Sequence, residues 1–307
     1  MAPIKLFWQS KLVLLLVLPA VAAGVVLQAR FFAVNAGPIA IWTLGLSLLL
    51  GLVVYQLRAA TPGAAFTGAA ITASLMFSTV LFPYKPWQTA LVPLLAVFVL
   101  SDIATRIGRG KKERLGTAER RDGRTASQVA ANLGLAALVQ QDLTQNWLAD
   151  TGWFSFAGVS PMPLFAVALA ALAEAAADTV SSEVGQVLGG RPRMITTLRD
   201  ADLGTDGAIS LAGTLAGILA AGAVAAAGAA ALHGGLTMLW VSWAGAVFGL
   251  FFDSLLGATL ERQGWLNNDA VNFLSTASAA VFAIVMLALA SHHGVAQFQD
   301  LPPLSLR

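Results

Sequence analysis

The segment AEAAADTVSSEVG at Ala173–Gly185 sets Glu174, Asp178, Ser181, Ser182 and Glu183 at the end of a long apolar run. Glu174, Asp178 and Ser182 recur at i, i+4, i+8, so on a helix they share one face. Carboxylates one turn apart suit a hard, oxygen-liganded cation such as Mg²⁺. The structural alternative is hydrogen bonding between helices. Asp253, in FFDSLLGATLERQG, sits inside another apolar stretch with Ser254 beside it and Gly257 one turn on. Asn268 and Asn272 share a face where WLNNDAVNFLSTASA opens a further run. Asn268 or Asp269 would serve as a cap there, a role that does not reach Asn272.

Between the two acidic segments lies GGRPRMITTLRDADLGTDGAIS. Arg191 and Arg193 supply planar donors for phosphate, or they mark topology alone. Asp206, or Thr205 before it, reads as the N-cap of the helix that follows, whose free amides favour an anion. Upstream, AERRDGRTASQVAANLG carries Arg120, Arg121 and Arg124, suited to phosphates or anionic headgroups, together with Gly123 and Asn132. Asp102 either joins a cation site or pairs with Arg106.

Absent motifs narrow the chemistry. There is no GxxxxGK[ST] phosphate loop, no HRD or DFG, and no HExxH. The chain has no cysteine, which removes thiolate chemistry and disulfides. Asp122-Gly123-x-x-Ala126 touches the pattern of CDP-alcohol phosphotransferases, but Ser127 stands where that pattern has arginine, and the later spacing fails.

The elements that must position these residues are membrane helices. Hydrophobic residues make up 57% of the 307 residues and charged ones 11%, against about 25% charged in soluble domains. The expected fold is all-α, a polytopic transmembrane helical bundle forming a single integral membrane domain over residues 1–307. About nine spans of roughly 20 residues can be drawn: Leu12–Gln28, Gly37–Leu57, Gly63–Phe82, Trp87–Ile103, Ala126–Gln140, Met162–Thr179, Gly207–Leu232, Leu236–Leu256 and Ala270–Ala290. Ala126–Gln140 is short and contains Asn132, which marks it as partial or buried. Small residues at Ala20–Ala23 offer a peptidase site, but the later spans suit an uncleaved anchor.

Alternation of these spans puts fifteen of the eighteen Lys and Arg on one side, leaving Arg30, Lys85 and Arg307 on the other. The positive-inside rule makes the crowded side, and the N-terminus, cytosolic. Loop Asp142–Ser160, with Trp147 and Trp153, fits the outer interface, as do His233, His292 and His293. A pI near 9.2 therefore reports topology, and no nucleic acid is expected.

As a set, these segments resemble the integral-membrane phytyl-phosphate kinases and their bacterial relatives. The resemblance rests on ADTVSSEVG at Ala177–Gly185, RPRMITT at Arg191–Thr197 and GTDGAISLAGTLAG at Gly204–Gly217. It continues in DSLLGATL at Asp253–Leu260, NNDAVNFLST at Asn267–Thr276 and the basic loop with ANLG at Ala131–Gly134. These cover the C-terminal two thirds of the chain in the family's order. Asp206-Gly207-Ala208, Leu198-Arg199 and Asn267 depart from the family pattern, which bears on substrate or nucleotide preference. More distantly the chain is similar to phytol and dolichol kinases and CDP-archaeol synthase.

The resemblance implies phosphoryl transfer from a nucleoside triphosphate, CTP or ATP, to a prenyl or phytyl monophosphate. In that scheme Asp178, Glu183 and Asp253, supported by Glu174, hold Mg²⁺. Arg193 assists catalysis, while Arg124, Arg191, Thr196, Thr197, Thr205, Asp206, Asn268 and Asn272 bind substrate phosphates. The alternatives are a CTP-dependent cytidylyltransferase making a CDP-lipid and a cation-coupled transporter.

Overall fold

In the computed structural model, residues 7–118, 122–152 and 164–292 are described. Lys5, Arg120, Arg121, Trp153, Met162, His293 and Arg307 lie outside the described residues. The protein is an all-α polytopic membrane protein. Its helices are α1 (Phe7–Asn35), α2 (Gly37–Gln56), α3 (Pro62–Phe77), α4 (Leu91–Arg106), α5 (Arg109–Leu115), α6 (Ala126–Gln140), α7 (Asp142–Asp150), α8 (Leu164–Leu188), α9 (Leu211–Ala231), α10 (Gly235–Leu256) and α11 (Asn268–His292).

Each of the nine expected spans corresponds to a helix, but they differ in reach. Among the described residues six helices are long and apolar enough to cross a bilayer alone: α1, α2, α8, α9, α10 and α11. Helix α4 makes a seventh only if it is joined to α5 through a 66° bend. Helix α3 stops at Phe77, short of the expected Phe82. There the Ser78 and Thr79 hydroxyls donate back to Ser74 O and Leu75 O, and Thr79 Oγ1 accepts from Ala90 N. At 15 residues α6 is also too short, and Ala130, Ala131, Ala136 and Ala137 are fully buried in it. It is the buried segment its length implied.

Helix α8 is the axis of the bundle and packs on α4, α6, α9, α10 and α11. Its run of alanines explains this, because a helix apolar on all sides belongs inside and small side chains admit close neighbours. Against it, a Cβ on Gly217 of α9 would stand 2.8 Å from Ala177 O. Large apolar side chains such as Leu16, Leu48, Leu52, Leu219, Trp240 and Leu289 point outward. On a soluble protein they would form an aggregating patch, whereas here they face hydrocarbon.

The segment between α8 and α9 adds a feature the all-helical expectation lacked. Two short strands, β1 (Arg193–Met194) and β2 (Ala208–Ile209), pair antiparallel with Arg193 opposite Ile209. This hairpin closes one end of the bundle.

Candidate functional site

A polar cavity of about 330 Å³ lies beneath the hairpin at that end. Its walls come from the start of α6, the second half of α8, loop Gly204–Ser210, the end of α10 and the start of α11. Chain-distant segments meet here because each is anchored locally.

Arg124 enters the cavity from the loop before α6. Its backbone N donates to Ala59 O at 3.0 Å, and its carbonyl accepts from Thr61 N at 3.0 Å. Gly123 makes this docking feasible. Its φ is +78°, and a Cβ there would stand 2.3 Å from Ala59 C, so only glycine fits. Immediately after, Thr125 and Gln128 form a reciprocal capping box that starts α6. Arg124 Nη2 then donates to Thr179 Oγ1 at 3.1 Å on α8, with Asp178 close enough for its charge to be felt.

Asp178 of α8 and Asp253 of α10 both line the cavity, near enough for their charges to act on each other. Asp253 Oδ2 is buried and has no hydrogen-bond partner among the described residues. Glu174 lies one turn deeper on α8, 1% exposed, and its Oε1 is likewise without a partner. Room for it exists because residue 249 is glycine; a Cβ there would meet Glu174 Cγ at 2.6 Å. Two carboxylates lining one cavity, one of them with a partnerless oxygen, are a donor set that a hard divalent cation would neutralise. Among the described residues no group of three or more acidic or histidine side chains is arranged as a closed cation cage. A cation on Asp178 and Asp253 would therefore complete its shell with phosphate and water, as Mg²⁺ commonly does.

Glu183 lines the cavity but its oxygens are engaged. Lys112 Nζ donates to Glu183 Oε2 at 2.5 Å and to the carbonyls of Ala104 and Thr105. Thr105 Oγ1 donates to Glu183 Oε1 at 3.2 Å. Lys112, 1% exposed, thus ties the α4–α5 bend to α8. Glu183 is held in an ion pair with this buried lysine at the edge of the cavity.

Two capping expectations are corrected. Ser210 caps α9, its Oγ accepting from Gly213 N at 3.2 Å, so Thr205 and Asp206 sit on the cavity wall and not at the helix start. Asn267 caps α11, accepting from Ala270 N at 2.9 Å, while its own amide donates to Ser10 Oγ at 2.9 Å. Asn268 and Asn272 are left to line the cavity. Gly207, at φ +73°, lets the loop approach α10, since a Cβ would stand 2.2 Å from Ala258 N. Burial raises the Asp206 carboxyl above its ordinary pKa, against the opposing pull of Arg262.

The arginines and threonines expected to bind phosphate at β1 are placed elsewhere. Arg193 is exposed, with Nε 3.6 Å from Asp200 Oδ1. Arg191, Thr196 and Thr197 are also outside the cavity wall, and Thr197 Oγ1 accepts from Arg199 N within the turn. Asp102 takes the second role considered for it, meeting Arg106 Nε at 2.7 Å. Glu261 and Gln128 join the wall without having been anticipated, beside the Gly257 already noted with Asp253. Asp253, Gly257 and Glu261 follow i, i+4, i+8, a spacing that flags the shared face. Residues Gly257–Glu261 form a π-helical turn, a feature common at functional sites.

The integral membrane protein DUF92 family model matches residues 45–280. The uncharacterized membrane protein MJ0933 of Methanocaldococcus jannaschii is 34% identical over 201 residues, covering 64% of this chain and 75% of that protein. The uncharacterized membrane protein sll0875 of Synechocystis is 33% identical over 213 residues, covering 64% and 73%. Protein VTE6, chloroplastic, of Arabidopsis thaliana is 31% identical over 197 residues, covering 62% and 56%. No solved structure matches the chain. Since the matched region carries every wall of the polar cavity, the chain belongs to the integral membrane protein DUF92 family, in accord with the phytyl-phosphate-kinase resemblance of its motifs.

Proposed function

We propose that the protein is a membrane lipid kinase that moves the γ-phosphoryl group of a nucleoside triphosphate, CTP or ATP, onto a prenyl or phytyl-type monophosphate. The observation that carries this reading is that Asp178, Asp253 and Arg124 line one cavity, which Asn268 and Asn272 also wall. The kinase-like motifs and the 31% identity to the plant protein support it.

An oxygen of the lipid monophosphate forms the new P–O bond to the γ-phosphorus while the β–γ bridging bond breaks and the nucleoside diphosphate leaves. The acceptor is already an anion, so no side chain need remove a proton, and positioning with charge neutralisation suffices. Arg124 binds and orients phosphate oxygens. Asn268 and Asn272 donate to them from α11, and Thr205 and Asp206 border them on the loop. Mg²⁺ held by Asp178 and Asp253 would supply charge neutralisation on the phosphates. The basic end of the bundle would face the cytosol, giving nucleotide access from solvent and lipid access from the bilayer.

Purified protein, prenyl monophosphates and CTP or ATP labelled separately at the α- and γ-phosphates test this. The expected product is a lipid diphosphate carrying only the γ label. Transfer of the α label would establish a cytidylyltransferase, and transfer of neither from either nucleotide would refute the proposal.

A further inference from the structure

A second cavity, of about 460 Å³, lies between α2, α3, α4 and α6. Its volume falls within the range of roughly 300–1,000 Å³ typical of ligand sites. Along most of its length the wall is hydrocarbon, with Leu50, Val54, Leu94, Val97, Phe98 and Leu133 as the larger contributors. One end is charged instead. Arg58, Asp102 and Arg106 stand there, Arg106 Nε paired with Asp102 and its Nη2 donating to Leu57 O at 3.4 Å.

Arg124 and Asn132 line this cavity and the polar one alike. The two are therefore adjacent across a single arginine, and that arginine is fixed by backbone hydrogen bonds to the α2–α3 connection. A nucleotide has no use for an apolar slot of this length. An amphiphile with one phosphate and one hydrocarbon chain matches it at both ends: the chain along the leucines and valines, the phosphate at Arg124.

Resting on the kinase reading of the polar cavity, we infer that this second cavity holds the prenyl chain of the acceptor and sets the chain length the enzyme accepts. Arg124 then marks where the acceptor phosphate meets the donor. Gly68 of α3 is the natural place to probe depth. A Cβ there meets nothing closer than Val129 Cγ1 at 3.9 Å, so the backbone tolerates a side chain that grows into the cavity.

The test uses the full-length protein and a twenty-carbon prenyl monophosphate bearing a diazirine at the far end of its chain. After irradiation, labels are expected on α2, α3 or α4 residues of the cavity. An unlabelled twenty-carbon prenyl monophosphate should compete for them, and phosphatidylglycerol at the same mole fraction should not. Labels on lipid-facing Leu215 or Leu219, or equal competition by the phospholipid, would mean a general lipid surface and overturn the inference. Labelling needs no turnover, so the two readings separate. A labelled cavity without γ transfer keeps the chain site and removes the kinase; γ transfer with labels elsewhere does the reverse. Gly68→Leu should then raise KM for the twenty-carbon acceptor by about 10-fold or more, the scale of lost methylene contacts, and leave KM for a five-carbon acceptor and the nucleotide nearly unchanged. Equal shifts for both chain lengths would overturn the placement.

Discussion

The polar cavity and the apolar one stand back to back on Arg124 and Asn132, yet they are built by different means. Around the polar cavity α8, α9, α10 and α11 press together on small residues. Asp178 and Asp253 stand on the second halves of α8 and α10, and Asn268 and Asn272 on the first turns of α11. Around the apolar cavity the walls are branched aliphatic side chains of α2, α4 and α6 with small residues of α3, and the charges are confined to one end. The lesson is a division of labour. The C-terminal helices supply fixed polar groups where charge must be handled, and the N-terminal ones supply a slot that only hydrocarbon fills favourably.

The largest expected effect falls on the ion pair at the edge of the polar cavity. Glu183→Ala leaves Lys112 buried and uncompensated, which typically costs about 3–5 kcal/mol, and should lower thermal stability in detergent sharply. Replacing both partners, Glu183→Gln with Lys112→Met, should recover most of the stability and retain phosphoryl transfer. A stable double variant without Mg²⁺-dependent turnover would return Glu183 to the metal. Next are Asp178→Asn and Asp253→Asn, each expected to fold and to lose about 100-fold or more in turnover. Because the proposal puts both carboxylates on one cation, the double variant should lose much less than the product of the single losses. Near-normal turnover in either single variant would break the contrast between the cavities.

Gly207→Ala forces a left-handed backbone on alanine, at about 1–3 kcal/mol, and drives a Cβ into Ala258 N. Melting temperature and nucleotide KM should both suffer, while labelling of the apolar cavity persists. Arg124→Lys keeps the charge but loses the planar fork. Catalytic efficiency should fall about 10-fold, equivalent to roughly 1.4 kcal/mol, and titration of each substrate will show which phosphate the arginine holds. The smallest effect is expected at Arg193→Lys. With its guanidinium on the exposed hairpin beside Asp200, efficiency should stay within about twofold, the scale of ordinary surface changes. A 10-fold loss would mean that the hairpin closes over bound phosphate.

Helix positions followed directly from the sequence because twenty apolar residues have few alternatives to a span. Spacing likewise exposed Asp178 and Asp253, since a carboxylate inside an apolar helix is conspicuous. Span length was less legible at α3 and α6, where buried hydroxyls and alanines, not lipid, surround the helix. Within the basic run, nothing distinguished Lys112 from its neighbours, because its burial depends on the 66° bend that turns α5 back toward Glu183. Arg191 and Arg193 looked equal to Arg124 in chemistry. Only the hairpin register and the docking of Gly123 on Ala59 put one arginine inside and the other two out. Composition and periodicity thus determined that the chain is a membrane bundle with acidic and asparagine-bearing helix ends. Which of those ends converge was decided by tertiary packing, because close approach of helices and loops is set by contacts between residues distant in the chain, which no local pattern encodes.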